Sequence, residues 1–393
     1  MPVSLDATIF FPYILRIMKK FISFFLFSLI FSGFVFSEMK NSTNIKFSVT
    51  PLSYNEDVSF GGAYSRIESV MSDKYVTLGG KLYYRLASTD SIESESQKID
   101  LKRAYAFVRP FGTNLLEFAI GKLYSYYLPG SYFSLMEIYT GASRWGKTGI
   151  AAKTEYKGFS FGLALPVTES YIAFKTNWGL SAAATYDVST IADNLPITFG
   201  ADVQYSATAD GASDVTSVSE KDFSECFSIY YNKKNLGFLD RFSTFLAFSH
   251  NAEPYVANVS FAPVANYKNA DLKRTNLFSL AVKAYIEQFR IVSETEIGHS
   301  VDGDMIPFYT ALQFILPFGD GFSFKPIFGY FAAYDTSNSA NSFDTWLLYP
   351  QISYDYKKLT LTAGWHLAYM EVEDSDYRWI WTLPLSVRVK IGE

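Results

Sequence analysis

The chain has almost no cysteine, few histidines, little charge and, past its first forty residues, no long apolar run. Cys226 is the only cysteine among 393 residues, so no internal disulfide can form. The 3 histidines, His250, His299 and His366, fall in no His-Glu-x-x-His pattern. No Gly-x-Ser-x-Gly elbow or phosphate-binding loop occurs either, so neither catalysis nor a cofactor or metal is expected. Charged residues make up 19% of the chain and the net charge is −5. That balance argues against nucleic acid as a partner, which would favour a basic surface. No stretch beyond residue 40 reaches the roughly 20 apolar residues of a membrane helix.

Aromatic residues are abundant, 36 Phe and 29 Tyr, and they recur with a period of two. From Leu359 one parity reads Leu359, Leu361, Ala363, Trp365, Leu367, Tyr369. The other reads Thr360, Thr362, Gly364, His366, Ala368. From Trp379 the pattern resumes as Trp379, Trp381, Leu383, Leu385, Val387, Val389, Ile391, opposed by Thr382, Ser386, Arg388 and Lys390. Side chains alternate faces along a strand, so each segment has an apolar face and a mostly polar one. Such long strands suit a tilted crossing of a bilayer, which needs roughly 9–11 residues. The pattern predicts an all-β, transmembrane antiparallel barrel with outer-membrane lipid around it.

Met18-Lys19-Lys20 and the apolar run Phe21 to Phe36 have the form of a secretory signal peptide ending near Val35-Phe36-Ser37. Residues 1–37 are therefore expected to be a helical signal peptide, with the true start at Met18, and residues 38–393 the barrel. Without Asp6, Arg16, Lys19 and Lys20, the 34 basic and 39 acidic residues become 31 and 38.

Candidate strands fall near 45–54, 58–66, 75–88, 99–109, 113–122, 148–157, 158–166, 178–188, 196–207, 223–233, 238–249, 276–287, 289–298, 306–316, 321–334, 345–356, 358–370 and 377–391. That is about eighteen, with sixteen as the alternative if the first hairpin, around Asn55-Glu56-Asp57, does not form. Connections alternate between tight and long, as short periplasmic turns and longer outer loops would require. Pro110 to Thr113, Lys157-Gly158, Asn232 to Asn235, Gln288-Phe289, Pro317 to Gly321 and Asp355 to Lys358 are the tight ones. In the hairpin Thr148 to Pro166, Ile150, Ala152, Thr154 and Tyr156 take one face and Ala151, Lys153 and Glu155 the other. A one-residue slip would place Lys153 in lipid, at a cost of up to about 2–4 kcal/mol.

This hairpin, TEYKGFSFGLALP, resembles the strand, Lys/Asn-Gly-Phe turn and small-residue return strand of Gram-negative outer-membrane porins. The likeness runs loosely from about residue 45 onward and is distant. The chain ends Val387-Arg388-Val389-Lys390-Ile391-Gly392-Glu393, where porins usually end in an aromatic residue. The resemblance implies a water-filled barrel of sixteen or eighteen strands, a homotrimer, and a long loop after the fifth strand that folds inward.

On these parities the lumen is expected to receive Lys81, Arg85, Glu117, Lys153, Glu155, Asp202, Lys283, Glu287, Arg290, Glu294, Lys325, Arg388 and Lys390. Both signs are present, so weak ion selectivity is expected. The segment Leu123 to Lys147 would form the inward loop, presenting Tyr126, Tyr127, Tyr132, Glu137 and Arg144 as a constriction. Tyr354 and Tyr356 near a periplasmic turn, with Trp379 and Trp381 near the outer end, fit aromatic girdles. Cys226 is expected on the lumen side, inert. The function this supports is passive diffusion of small hydrophilic solutes and ions across an outer membrane. The alternative is a blocked barrel serving as an adhesin or structural protein.

Overall fold

The computed structural model describes residues 40–55, 57–59, 62–86, 97–123, 127–130, 148–166, 177–208, 223–252, 275–301, 303–338, 342–372 and 376–392. The expected signal peptide lies outside them. In chain order the strands are β1 (Lys40–Val49, continuing as Ser53–Asn55), β2 (Asp57–Ser59, continuing as Ala63–Ser72), β3 (Val76–Leu86), β4 (Gln97–Val108), β5 (Glu117–Lys122), β6 (Thr148–Tyr156), β7 (Phe159–Pro166), β8 (Asn177–Asp187) and β9 (Ile197–Thr208). They go on as β10 (Phe223–Leu236), β11 (Leu239–Ala252), β12 (Thr275–Ile286), β13 (Phe289–Ser300) and β14 (Met305–Phe318). The last four are β15 (Phe322–Phe324 and Ile327–Asp335), β16 (Phe343–Tyr349 and Gln351–Tyr356), β17 (Leu359–Gly364 and His366–Val372) and β18 (Asp376–Thr382 and Leu385–Gly392).

Each strand pairs antiparallel with its neighbours in sequence, and β1 pairs with β18, Ser42 opposite Gly392 and Val49 opposite Leu385. The result is a closed barrel of 18 strands. Closure leaves no sheet edge and satisfies backbone polar groups within the wall. The hairpin between β1 and β2 does form, with Asn55 opposite Asp57, which excludes the sixteen-strand alternative.

Two boundaries differ from the sequence reading. Asn232 to Asn235 continue β10, and the turn comes later, at Gly237 and Phe238. Residues 109–116 form a wider turn, so β5 is only 6 residues long. Six strands run in two stretches, and in five of them the break holds a named residue: Pro51, Pro326, Pro350 and Pro384 in β1, β15, β16 and β18, and Trp365 in β17. Proline has no N–H to give to the ladder, so pairing stops on its donor side. Their carbonyls still accept, from Trp365 N–H to Pro350 and from Gly364 N–H to Pro384, at 3.0 Å each.

One end of the barrel carries short turns. Between β2 and β3, Asp73 accepts the N–H groups of Tyr75 at 2.7 Å and Val76 at 2.6 Å. Those two hydrogen bonds hold the Asp73 carboxyl below its ordinary range. Between β6 and β7, Lys157 and Gly158 have φ of 45° and 80°. Gly158 adopts its half of that left-handed two-residue turn without strain, and a Cβ there would also fall 2.5 Å from Thr190 Oγ1.

The alternation of faces holds around the barrel. Phe118, Ile120, Ile150, Phe159, Leu163, Phe227, Phe248, Phe278, Trp346 and Leu361 point outward and are exposed. Lys153 pairs in register with Glu117 and Gly162 on the opposite, inner face. An apolar band that wraps a closed sheet is a surface for hydrocarbon, not water.

Candidate functional site

The inner wall from β18 to β4 is built from two adjacent register rows. One runs Lys390, Asn44, Glu68, Lys81, Arg103; the other runs Arg388, Lys46, Arg66, Tyr83, Asp100. Glu68 accepts Arg103 Nη1 at 3.0 Å and lies 3.8 Å from Lys81 Nζ. Arg388 Nε donates to Asn44 Oδ1 at 3.0 Å. Six cations thus share this wall with two carboxylates, and their side chains keep partial contact with water. Arg85 occupies the β3 position opposite Tyr64.

A bulge at β3–β4 explains why the sequence reading missed Arg103. Register shifts between Lys81 and Leu82, so Lys102 is an extra residue in β4. Strict alternation cannot be carried through such an insertion, and Arg103 emerges on the inner face beside Lys81. The adjacent pair Lys102-Arg103 was the available signal. Lower on the wall, Arg109 Nη2 pairs with Glu117 at 2.7 Å, its Nη1 donates to Thr77 at 3.0 Å, and Lys153 pairs with Glu155 at 3.0 Å.

Within the segment expected to turn inward, Leu123 and residues 127–130 are described; Tyr126, Tyr132, Glu137 and Arg144 lie outside the described residues. Tyr127 sits with its ring 5.1 Å from Phe107 and 5.7 Å from Lys153 Nζ, and is buried. Leu123, Tyr127 and Leu128 form one apolar cluster with Phe107, Ala119, Ala151, Ala164 and Ala183. A Cβ on Gly162 would fall 2.8 Å from Leu128 Cδ2 and 3.0 Å from Pro129 Cδ. Gly130 approaches Thr185 Cγ2 and Asp202 Oδ2, at 3.9 and 4.0 Å from its Cβ position. These contacts place residues 127–130 against the inner wall of β6 to β9. Small inner-facing residues, Ala119, Ala151, Gly162, Ala164 and Ala183, leave the room they occupy.

Across the lumen the inward carboxylates of β9 and β13 are shielded. Asp202 is 6% exposed, Glu296 2% and Glu294 0%. Tyr309 donates to Glu294 at 3.2 Å and Ser279 to Glu296 at 3.3 Å. Glu294, Asp202 and Glu117 therefore face inward, but not as the water-exposed groups expected. Glu287 is not a wall residue: it stands in the turn between β12 and β13 with φ of 53°. Lys325 lies in the break of β15, its N–H bonded to Gln351 O at 2.7 Å. Lys283 and Arg290 sit on the inner face near the short-turn end, opposite Ser243 and Tyr285 respectively.

The inner face of β14 to β18 is apolar, contrary to the expected mostly polar parity. Met305, Tyr309, Ala311, Ile327, Phe331, Leu347, Tyr349, Met370 and Ile380 pack as one buried cluster. The physical signal was present in sequence: Met305 to Tyr309 and Trp346 to Tyr349 are apolar on both parities, as strands covered on both faces are. His366 joins this region, its ring stacked 4.1 Å from Tyr349. Cys226 is buried on the inner face beside Asp202 and Ser249.

The aromatic residues expected as girdles lie at both ends. Tyr354 stands 4.5 Å from Phe322 and stacks on Tyr356 near the short turns; Trp381 stacks 5.9 Å from Tyr54, and Trp379 lies 5.0 Å from Tyr369, near the long loops. Among the described residues, no group of His, Cys, Asp or Glu could hold a metal ion. His250 Nδ1 bonds Asn276 Oδ1 and His299 Nδ1 bonds the Ser300 carbonyl.

No protein-family model matches the chain, and no curated protein matches its sequence. Solved structures do match. OccK1 (OpdK) of Pseudomonas aeruginosa aligns over 91% of this chain and 99% of its own, with TM-score 0.56 and 9% identity. OprD of the same organism aligns over 90% and 95%, with TM-score 0.53 and 8% identity. Wzi of Escherichia coli, an outer-membrane protein involved in group 1 capsule assembly and described as a carbohydrate-binding β-barrel, aligns over 89% and 84%, with TM-score 0.55 and 10% identity. At such identities the likeness is one of fold, and it agrees with the closure and parity found here. The chain has the porin-like fold of these outer-membrane proteins, a closed 18-strand transmembrane barrel.

Proposed function

We propose that this protein is an outer-membrane channel through which small hydrophilic solutes and ions diffuse passively, exported by a cleaved signal peptide and needing no cofactor. The observation that carries the reading is the split between an exposed apolar outer surface and the charged, partly hydrated inner wall of β18 to β4. Such a wall keeps water in a barrel and sets the field a solute meets. The short-turn end is then periplasmic. Residues 127–130, seated on β6 to β9, narrow the opening and force solutes toward the basic wall. Because the carboxylates of the far side are shielded, the accessible field is net positive, and anions are favoured over the weak selectivity the composition suggested. The homotrimer that the porin resemblance implies belongs to the same reading.

Proteoliposome swelling tests it. Neutral sugars below the exclusion limit should swell vesicles that contain the refolded protein, and the reversal potential in a KCl gradient should take the sign of chloride. Lys81→Gln with Arg103→Gln should move that potential toward zero. A folded barrel that admits no solute overturns the reading.

The dry apolar cluster inside β14 to β18 favours a second reading, a blocked barrel acting as an adhesin or structural protein. Wzi shows that the fold also serves a protein described as carbohydrate-binding. Absence of swelling together with saturable surface binding of a polysaccharide would select it.

A further inference from the structure

One cluster at the short-turn end has no place in the wall just described. Lys234, Arg241, Tyr285 and Arg290 form a single register row across β10, β11, β12 and β13, on the inner face. Three cations converge on one ring: Arg290 Cζ lies 5.0 Å, Lys283 Nζ 5.8 Å and Arg241 Cζ 5.9 Å from the Tyr285 centroid. Arg241 is held in place, since its Nε donates to Asn232 Oδ1 at 2.8 Å, and the same oxygen accepts Ser243 Oγ–H at 2.9 Å. That leaves the two Nη groups of the fork as further donors, with no described residue accepting from them. Among the described ion pairs, none contains Lys234, Arg241 or Arg290; the nearest carboxylates in sequence, Asp240 and Glu287, belong to none.

We propose that this cluster is an oxyanion-binding site at the short-turn mouth, formed by Arg241, Lys283 and Arg290 around Tyr285 with Lys234 at its edge. Like charges gathered on one ring repel each other, and the ring's negative face offsets only part of that repulsion. A phosphate or carboxylate supplies negative charge to the Arg241 and Arg290 forks. Guanidinium forks match two of its oxygens at once, and a pre-aimed Arg241 loses little freedom on binding. At the mouth of a water-filled barrel the site would collect anionic solutes on one side of the membrane only. The assignment of that side as periplasmic rests on the proposed channel function, but the site itself does not.

The test is equilibrium binding of inorganic phosphate to the refolded, detergent-solubilised full-length protein, read by 31P line broadening. The wild type should broaden the signal saturably. Arg241→Gln with Arg290→Gln should weaken binding at least about tenfold, as two charge-assisted hydrogen bonds are lost. Lys157→Gln with Lys357→Gln, in the turns between β6 and β7 and between β16 and β17, should retain this binding. The folded state of each variant is checked by its heat-modifiable gel mobility. If the double arginine variant does not fold, Lys234→Gln with Arg290→Gln, both at exposed rim positions, should weaken binding in the same direction. No saturable binding by the wild type, or equal binding by the folded rim variant, overturns the proposal. Phosphate binding without conduction would sink the channel reading and leave this site standing; conduction without binding would do the reverse.

Discussion

Removing the two side chains that seat residues 127–130 should widen the channel while leaving the barrel folded. Leu128 and Tyr127 are each 2% exposed, and both pack on inner-wall residues of β4 to β9. Truncating a packed leucine to alanine costs about 2–5 kcal/mol. Taking about 3 kcal/mol for Leu128→Ala, the seated population falls roughly 150-fold relative to the released one. Tyr127→Ala removes the Phe107 ring contact as well, worth about 0.5–1.5 kcal/mol beyond the lost burial. No ladder hydrogen bond involves these residues, so the cost falls on the segment rather than on the wall. The assay is proteoliposome swelling with neutral oligosaccharides of increasing size. The double variant should admit larger sugars than the wild type, and Gly162→Val, which intrudes on Leu128 and Pro129, should act in the same direction. A folded double variant with an unchanged exclusion limit would refute the placement of the constriction.

Other expectations can be checked separately. Leu163→Lys, on the outward face, should destabilise the barrel by about 2–4 kcal/mol if it lies near the bilayer midplane, whereas Ser160→Lys, facing in, should cost far less; urea unfolding in vesicles reads both. Breaking the Arg109–Glu117 pair with Arg109→Met alone should cost about 3 kcal/mol in the same assay, and adding Glu117→Leu should recover much of the loss. Asp73 has a folded-state pKa below its unfolded one, so its contribution is fully present above the unfolded pKa of about 3.9. The stability gap between wild type and Asp73→Asn should therefore be flat at neutral pH and shrink as pH falls through the lowered value. A gap that widens on acidification would contradict the turn geometry.

The barrel itself was legible because parity is a strict signal wherever one face meets oil and the other water. The hairpin Thr148 to Pro166 shows it: Ile150 and Leu163 are outward and Lys153 inward, as alternation requires. Strand number was legible through the alternation of short and long connections. The site was less so, for three identifiable reasons. The Lys102 bulge shifts the register of β4 and hides Arg103 from a simple count. Alternation also assigns every inward charge to water, although Glu294 and Glu296 prove to be shielded. Finally, the inner apolar cluster of β14 to β18 lies where both parities are apolar, so a period-two reading sees only the outer one. The small inner residues of β7, read only as a small-residue return strand, are part of the cradle for Leu128 and Pro129.

Single-channel recording from the refolded protein in a planar bilayer addresses the central claim most directly. If water fills the space beside the basic wall of β18 to β4, currents should rise in discrete, ohmic steps that carry more chloride than potassium. A barrel that is folded by its gel mobility, inserts into the bilayer and yet never conducts would contradict it.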